Sequence, residues 1–341
     1  MQNSITFFCD ASYEMGLGHY SRCKNFALAI DAHKNGTATI CFAGEFRKLV
    51  KDELKALNWS YIDCDLNSIA SLKNQFGAVS IEGIAVIDSY IISNDAIQYI
   101  AKTFKRSVFI DDFNRHDFSL IDAVINFRFN YDTSSYNVKN GLFGLDYFPA
   151  LAEMVALREN TLKQKNITAT KDISSILLYL GALSPAIKQQ TINVIDELLN
   201  NVTITVLSGL DDMPDHLTSS SNIITVKPLT FSLSKSFEDV DVVICSGGLI
   251  KYEAGFCLTP NASINQTQDQ HDDTVVLAVA DLTFDFGVEK DLINNNSKFL
   301  EKMRQFFSIE TRQKQMMAMK SLYDIGSTHK AALAILNDYN G

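Results

Sequence analysis

His19 stands at the end of a glycine-punctuated stretch, residues 10–23, Asp-Ala-Ser-Tyr-Glu-Met-Gly-Leu-Gly-His-Tyr-Ser-Arg-Cys. Imidazole is the side chain that exchanges protons near neutral pH, so a histidine here offers a general base. Gly16 and Gly18 allow backbone to approach a ligand closely. The helix start that follows offers N–H groups to an anion. Two readings stay open on spacing alone: a base that meets substrate, or a cap at a helix entrance. A dinucleotide fingerprint is excluded, because its third glycine is missing at the required offset.

Three further places carry candidate chemistry. Asp88-Ser89-Tyr90 follows the apolar run Ile84–Ile87, and polar residues directly after a buried parallel strand lie at the ligand edge of a sheet. Asp88 and Ser89 are also good helix caps. Asp111-Asp112 follows Val108–Ile110. Adjacent carboxylates diverge in direction and no third ligand stands at a fixed spacing, so a capping or turn role is expected rather than a metal site. Cys245-Ser246-Gly247-Gly248 ends another apolar run and opens a helix carrying Tyr252-Glu253. A small-residue turn feeding a helix suits a diphosphate, and a carboxylate one turn further on suits ribose hydroxyls. An ordinary turn with a solvated glutamate has the same pattern.

These residues need strands that end together and helices that start there. The run Ile5–Cys9 reads as the first strand, followed by a helix after His19. Strands are expected at 37–43, 84–88, 107–110 and 123–125, with helices at 46–57 and 94–104 between them. Residues 160–172 are polar and lack apolar periodicity, which marks a linker. The alternation then restarts, with strands at 176–180, 203–207, 223–226 and 242–244 and helices at 186–199, 249–256 and 275–280. The tail 309–337 is helical in pattern. Such alternation implies βαβ units on parallel sheets. The division expected is 1–159, a linker at 160–172, and 173–341 with its C-terminal helices.

A chain of 341 residues with 46% apolar and 21% charged residues is ordinary globular protein of about two domains. A net charge of −10 argues against nucleic acid or an anionic membrane as partner. Ser4–Cys9 is too short an apolar run for a signal peptide, no basic region precedes it, and no run is long enough to span a membrane. The six cysteines are scattered without a C-x-x-C pair, as expected of reduced thiols in a cytoplasmic protein.

Asp10, Gly16, Gly18, His19, Arg22, Cys23 and Ala27 fit the pattern D-x-S-x-x-x-G-x-G-H-x-x-R-C-x-x-x-A. The pattern resembles the nucleotide-sugar hydrolase of pseudaminic acid biosynthesis and flagellin glycosylation, which acts on UDP-2,4-diacetamido-2,4,6-trideoxy-β-L-altropyranose. That family is related to the UDP-GlcNAc glycosyltransferase that forms lipid II. The resemblance implies an α/β, GT-B-like fold of two Rossmann-like domains with parallel sheets facing a cleft. It implies His19 and Tyr90 as catalytic residues, with Gly16, Gly18, Arg22 and Asp88 at the substrate. It also implies a nucleotide site at Gly181, Ser246, Gly247, Gly248, Glu253 and Gln270, because the spacing G-G-x-x-x-x-E is kept at 247–253. Gly144, Tyr147 and Arg158 resemble a further segment only loosely. The chain departs from the family at 180–184, where Gly181 alone survives of Gly-Gly-x-Asp. It departs again at Asp269-Gln270, where the family has Asn-Gln, and residues 261–268 are unusually polar for a buried strand.

The expected activity is hydrolysis of a UDP-activated acetamido sugar to UDP and free sugar. His19 activates the water that attacks the anomeric carbon, without metal or other cofactor. A glycosyltransferase on the same fold is the alternative, and an inactive nucleotide-sugar binder is a third reading. Sugar stereochemistry and oligomeric state are not encoded in any motif.

Overall fold

The computed structural model describes residues 4–12, 16–77, 80–163, 172–181, 183–208 and 217–337. Most of the expected linker, 164–171, and Ala182 of the altered loop lie outside the described residues. Two compact units emerge, Met1–Leu151 with Gly326–Gly341, and Ala152–Ile325.

The first unit runs β1 (Ser4–Cys9), α1 (Gly18–His33), β2 (Thr39–Gly44), α2 (Lys48–Ala56), β3 (Ser60–Asp63), α3 (Ile69–Phe76), β4 (Ile81–Asp88), α4 (Asn94–Thr103), β5 (Phe104–Ile110), β6 (Ala123–Asn126) and β7 (Gly141–Phe143). Its seven strands lie in the order β3-β2-β1-β4-β5-β6-β7 and every pairing is parallel. β1 is apolar on both faces, with Phe7 and Phe8 fully buried, as a central parallel strand requires. Ser93 caps α4 by accepting from the Ala96 N–H, and Ala96, Ile97 and Ile100 turn inward.

The second unit runs α5 (Ala152–Lys163), β8 (Ser175–Tyr179), α6 (Pro185–Leu198), β9 (Thr203–Ser208), β10 (Ile223–Pro228), α7 (Ser234–Glu238), β11 (Val242–Ser246), α8 (Ile250–Phe256), β12 (Asn261–Asn265), α9 (Gln268–Val279), β13 (Phe284–Val288), α10 (Glu289–Ile293), α11 (Asn296–Phe307) and α12 (Ile309–Leu322). Its six strands order as β10-β9-β8-β11-β12-β13, again all parallel. The core joins Ile176, Leu178, Ile204, Ile244 and Ile264 to Phe286, Phe299 and Phe306. No helix among the described residues is long and apolar enough to cross a membrane.

The last helix, α13 (Ser327–Leu336), packs on α1 in the first unit. Ser327 and Thr328 donate to the Phe148 carbonyl, and Arg106 donates to the carbonyls of Ala334 and Ile335. The sequence-based division at 160–172, with the whole tail on the second half, therefore differs from the observed units at both ends. α5, which opens the second unit, begins at Ala152 and carries Arg158. That side chain is 1% exposed and donates to the carbonyls of Phe256, Met319 and Tyr323. A guanidinium placed at the C-terminal turns of α8 and α12 meets the negative end of each helix dipole and adds donors to their terminal carbonyls.

The polar segment after Pro260 is a strand despite its composition. All five residues of β12 are buried. Asn261 exchanges backbone bonds with the Gln315 side chain and accepts from Thr283, so its polar groups are met inside the core. Four strands escaped the sequence pattern: β3 and β7 are short edge strands, β12 is polar, and β13 carries Asp285 and Gly287.

Candidate active site

In each unit the strand order reverses direction once, between β1 and β4 in the first and between β8 and β11 in the second. Ligands of open α/β sheets bind outside the carboxyl ends of the strands at such a switch point. His19, Arg22, Asp88 and Tyr90 fall at the first of these places, and Gly181, Ser246, Gly247 and Gly248 at the second.

At the first, β1 ends beside β4 with Cys9 opposite Asp88. α1 starts at Gly18, and no side chain caps it. His19 is 5% exposed, and its Nδ1 lies 2.6 Å from Asp88 Oδ1. A carboxylate on Nδ1 fixes that nitrogen as the N–H donor and leaves Nε2 as the proton acceptor. Arg22, one turn along α1, grips the same carboxylate with two donors. Nε lies 2.5 Å from Oδ2 and Nη2 lies 2.6 Å from Oδ1. Nη1 of Arg22 reaches Asp112 Oδ2 at 2.7 Å. Tyr90 donates its hydroxyl to the same Asp112 oxygen and sets its ring edge-on to His19, with centroids 4.3 Å apart.

The charges shape one another. Asp88 is completely buried, which alone would raise its carboxyl. The Arg22 guanidinium and His19 overcome that, and the carboxyl is held below its ordinary range. Tyr90 is half exposed, but its hydroxyl end is desolvated against Asp112. Desolvation and that carboxylate's charge push the phenol up, so it stays protonated. Asp10 goes the other way. Burial raises its carboxyl despite the Glu45 N–H and the Ser89 hydroxyl that it accepts.

Asp111 and Asp112 prove to be two different residues. Asp111 accepts from the N–H groups of Phe113 and Asn114, which is the expected turn role. Asp112 belongs to the His19 cluster, which the adjacent-pair reading missed. Gly16 adopts φ +73°, in the left-handed region where glycine is favoured, whereas a side chain at Gly18 would meet open space. Residues 13–15 of the motif lie outside the described residues.

At the second switch point Tyr179 stands opposite Cys245. Gly181 has φ +47° and faces the Ser246 hydroxyl. Gly247 admits no side chain, because a Cβ there would lie 2.2 Å from Asn265 Oδ1. Gly248 has open space instead. Behind the turn, the buried Lys251 Nζ donates to the Gly247 carbonyl at 2.7 Å and pairs with Asp273 at 2.8 Å. Thr274 accepts from Lys251 and donates to Asn265 Oδ1. Sequence spacing did not single out this support, since its members are spread over three elements. Glu253 is buried on α8. The Gln270 side chain accepts from the Gln266 N–H at 2.9 Å, so its Oε1 already serves the turn before α9.

Among the described residues no group of three or more His, Cys, Asp or Glu side chains is arranged to hold a metal ion.

No family model and no curated protein matches the chain. Solved structures do. The glycosyltransferase of kitacinnamycin superposes with a TM-score of 0.65 at 12% identity, covering 98% of both chains. MurG of Acinetobacter baumannii gives 0.60 at 11% identity, over 98% of this chain and 99% of that one. The UDP-GlcNAc 2-epimerase of Neisseria meningitidis, solved with UDP-GlcNAc bound, gives 0.56 at 11% identity over 98% of each. The likeness spans both units and fixes the fold class: two Rossmann-like α/β units on parallel sheets, in the GT-B manner.

Proposed function

We propose that this chain is an enzyme of nucleotide sugars that displaces UDP from the anomeric carbon, with His19 as the general base. The observation that carries the reading is the 2.6 Å bond between His19 Nδ1 and the buried Asp88, at a strand-order switch point. Nε2 takes the proton of the incoming oxygen nucleophile, and Asp88 stabilises the imidazolium that forms. UDP departs as a stable anion, so the base matters more than an acid. Tyr90 keeps its proton and can hydrogen-bond to the sugar. Gly16 and Gly18 leave room for substrate, and Arg22 and Asp88 line the same end of the sheet. In the second unit the loops at Gly181 and at Ser246-Gly247 take the diphosphate, with the Gly248 N–H already donated to the Ser246 carbonyl and Gln270 packed behind Gly247. Glu253 accepts from the ribose hydroxyls.

The nucleophile separates two versions. A hydroxyl of an acceptor makes the enzyme a glycosyltransferase. That version has the better support, since the structural likenesses include glycosyltransferases. Water makes it a hydrolase of a UDP-diacetamido sugar, and the match of residues 10–27 to the pseudaminic-acid hydrolase pattern favours that one. Both cleave the C–O bond with inversion. UDP release from a panel of UDP-acetamido sugars, with and without added acceptors, distinguishes them. Release that needs an acceptor marks a transferase, release in water alone marks a hydrolase, and no release from any member defeats the proposal. In ¹⁸O-water the hydrolase puts label in the sugar, and label in UDP would mean attack at phosphorus.

A further inference from the structure

Arg22 has the position of a substrate-binding residue in the sequence, yet its guanidinium is buried and bonded to two carboxylates of the protein. It is 6% exposed, and its three bonds run to Asp88 and Asp112. Its Nη2 also stands 3.3 Å from His19 Nδ1. With Nδ1 donating to Asp88, both atoms of that contact are donors, so it is an approach of like polarity rather than a hydrogen bond. Arg22 therefore does two opposed things. It anchors the carboxylate that orients His19, and it sets a positive charge against the ring that must become positive during turnover.

Asp112 answers the second effect. Its carboxylate neutralises Arg22 from the far side, so that the charge of Asp88 stays directed at His19. Resting on the proposed role of His19 as base, we infer that Arg22 and Asp112 are opposed positioning residues: Asp112 favours the protonated imidazole and Arg22 disfavours it. Nothing in the sequence joins these residues, which stand 90 positions apart.

The surroundings of His19 bear the balance out. From the end of β1 comes Asp10, whose carboxyl interacts with His19. From β4 and the loop after it come Asp88 and Tyr90, and from the end of β5 comes Asp112. Arg22 is on the histidine's own helix. Arg128 donates to the backbone carbonyl of Asp112 and spreads its charge over the rings of Phe113 and Tyr131. Among the described residues, Asp88 is bonded to His19, the Asp10 carboxyl interacts with it and Arg22 stands beside it, while Asp112 lies behind Arg22 and the Tyr90 phenol stays neutral. Removing one sign or the other must move the histidine in opposite directions. A scaffold role for the same ion pairs carries no such sign rule.

The test needs no substrate. The full chain is labelled with ¹⁵N-histidine and its ring nitrogens are followed against pH by long-range ¹H–¹⁵N spectra, with His19 assigned by His19→Gln. Asp112→Asn is expected to move the His19 titration down by about one pH unit and Arg22→Gln to move it up by about as much, the usual size for a close charge. Arg22→Lys, which keeps the charge and is the milder change for folding, is expected to return the titration toward the wild type. The acid limb of kcat/KM should follow the same signs. Shifts of the same sign in the two variants, or a His19 titration that neither moves, would overturn the inference. His19→Ala with normal turnover would defeat the proposed function and leave the charge coupling standing, so the two failures read differently.

Discussion

The two units share one strand order over six strands, the first adding β7 at its edge, and place their candidate residues at the same topological point, but they load it with opposite chemistry. In the first unit the switch point is built from side chains that hold or move protons: His19, Asp88, Arg22, Asp112, Asp10 and Tyr90. In the second it is built from Gly181, Ser246, Gly247 and Gly248, and the buried Lys251 is turned inward on the Gly247 carbonyl. A parallel sheet supplies converging loops and nothing more. What enters those loops decides whether a unit does chemistry or provides backbone donors, and the proposed function separates the two tasks by unit.

The comparison can be broken at several points. The largest effect is expected at Asp88. Asp88→Asn removes the carboxylate that fixes His19's tautomer, and kcat should fall by about 10²–10⁴ while UDP affinity stays near the wild type. Steady-state rates against calorimetric UDP titration check this. An equal loss of both would mean that the division of labour is wrong.

Gly247→Ala should be the most damaging change in the second unit. Its Cβ would sit 2.2 Å from Asn265 Oδ1 and 2.8 Å from Gln270 Cβ. Asn265 cannot swing away freely, since Thr274, Asp285 and Gly287 all hold its amide. Strain of this kind costs about 1–3 kcal/mol, read by denaturant melts together with weaker UDP binding. Gly248→Ala is the control, because open space surrounds that position. A Gly248 variant as damaged as the Gly247 one would remove the steric account. Glu253→Ala should weaken UDP by about 1–3 kcal/mol, the cost of a charge-assisted hydrogen bond. An unchanged dissociation constant would move the ribose elsewhere.

The smallest effect expected is on acid stability. The Asp88 carboxyl is held below its ordinary range, so its contribution is present in full above the unfolded value of about 3.9 and is lost as pH falls through the folded value. The stability gap between wild type and Asp88→Asn should therefore narrow below about pH 4. A gap that widens with acid would give the shift the wrong sign.

The sequence revealed the parts of this arrangement that are local. A strand, a glycine loop and a histidine at a helix start are contiguous, and so is the Ser246-Gly247-Gly248 turn with Glu253 after it. It concealed what depends on distant partners. Asp112 reads as half of a turn, and its partner Arg22 lies on a distant helix. Residues 261–268 read as unusually polar for a buried strand, because Gln315 and Thr283, which satisfy Asn261, come from remote elements. α13 reads as one more tail helix, and its packing on α1 with its bonds to Phe148 and Arg106 assigns it to the first unit. Edge strands β3 and β7 are too short for a periodic signal.

His19→Ala tests the central claim, that the first unit does the chemistry and the second holds the nucleotide. With a UDP-acetamido sugar turned over by the wild type, the single-turnover rate of the variant is expected to fall by about 10²–10⁴, with the UDP dissociation constant essentially unchanged. A variant that keeps the wild-type rate, or one that loses UDP affinity in proportion to rate, would contradict the account.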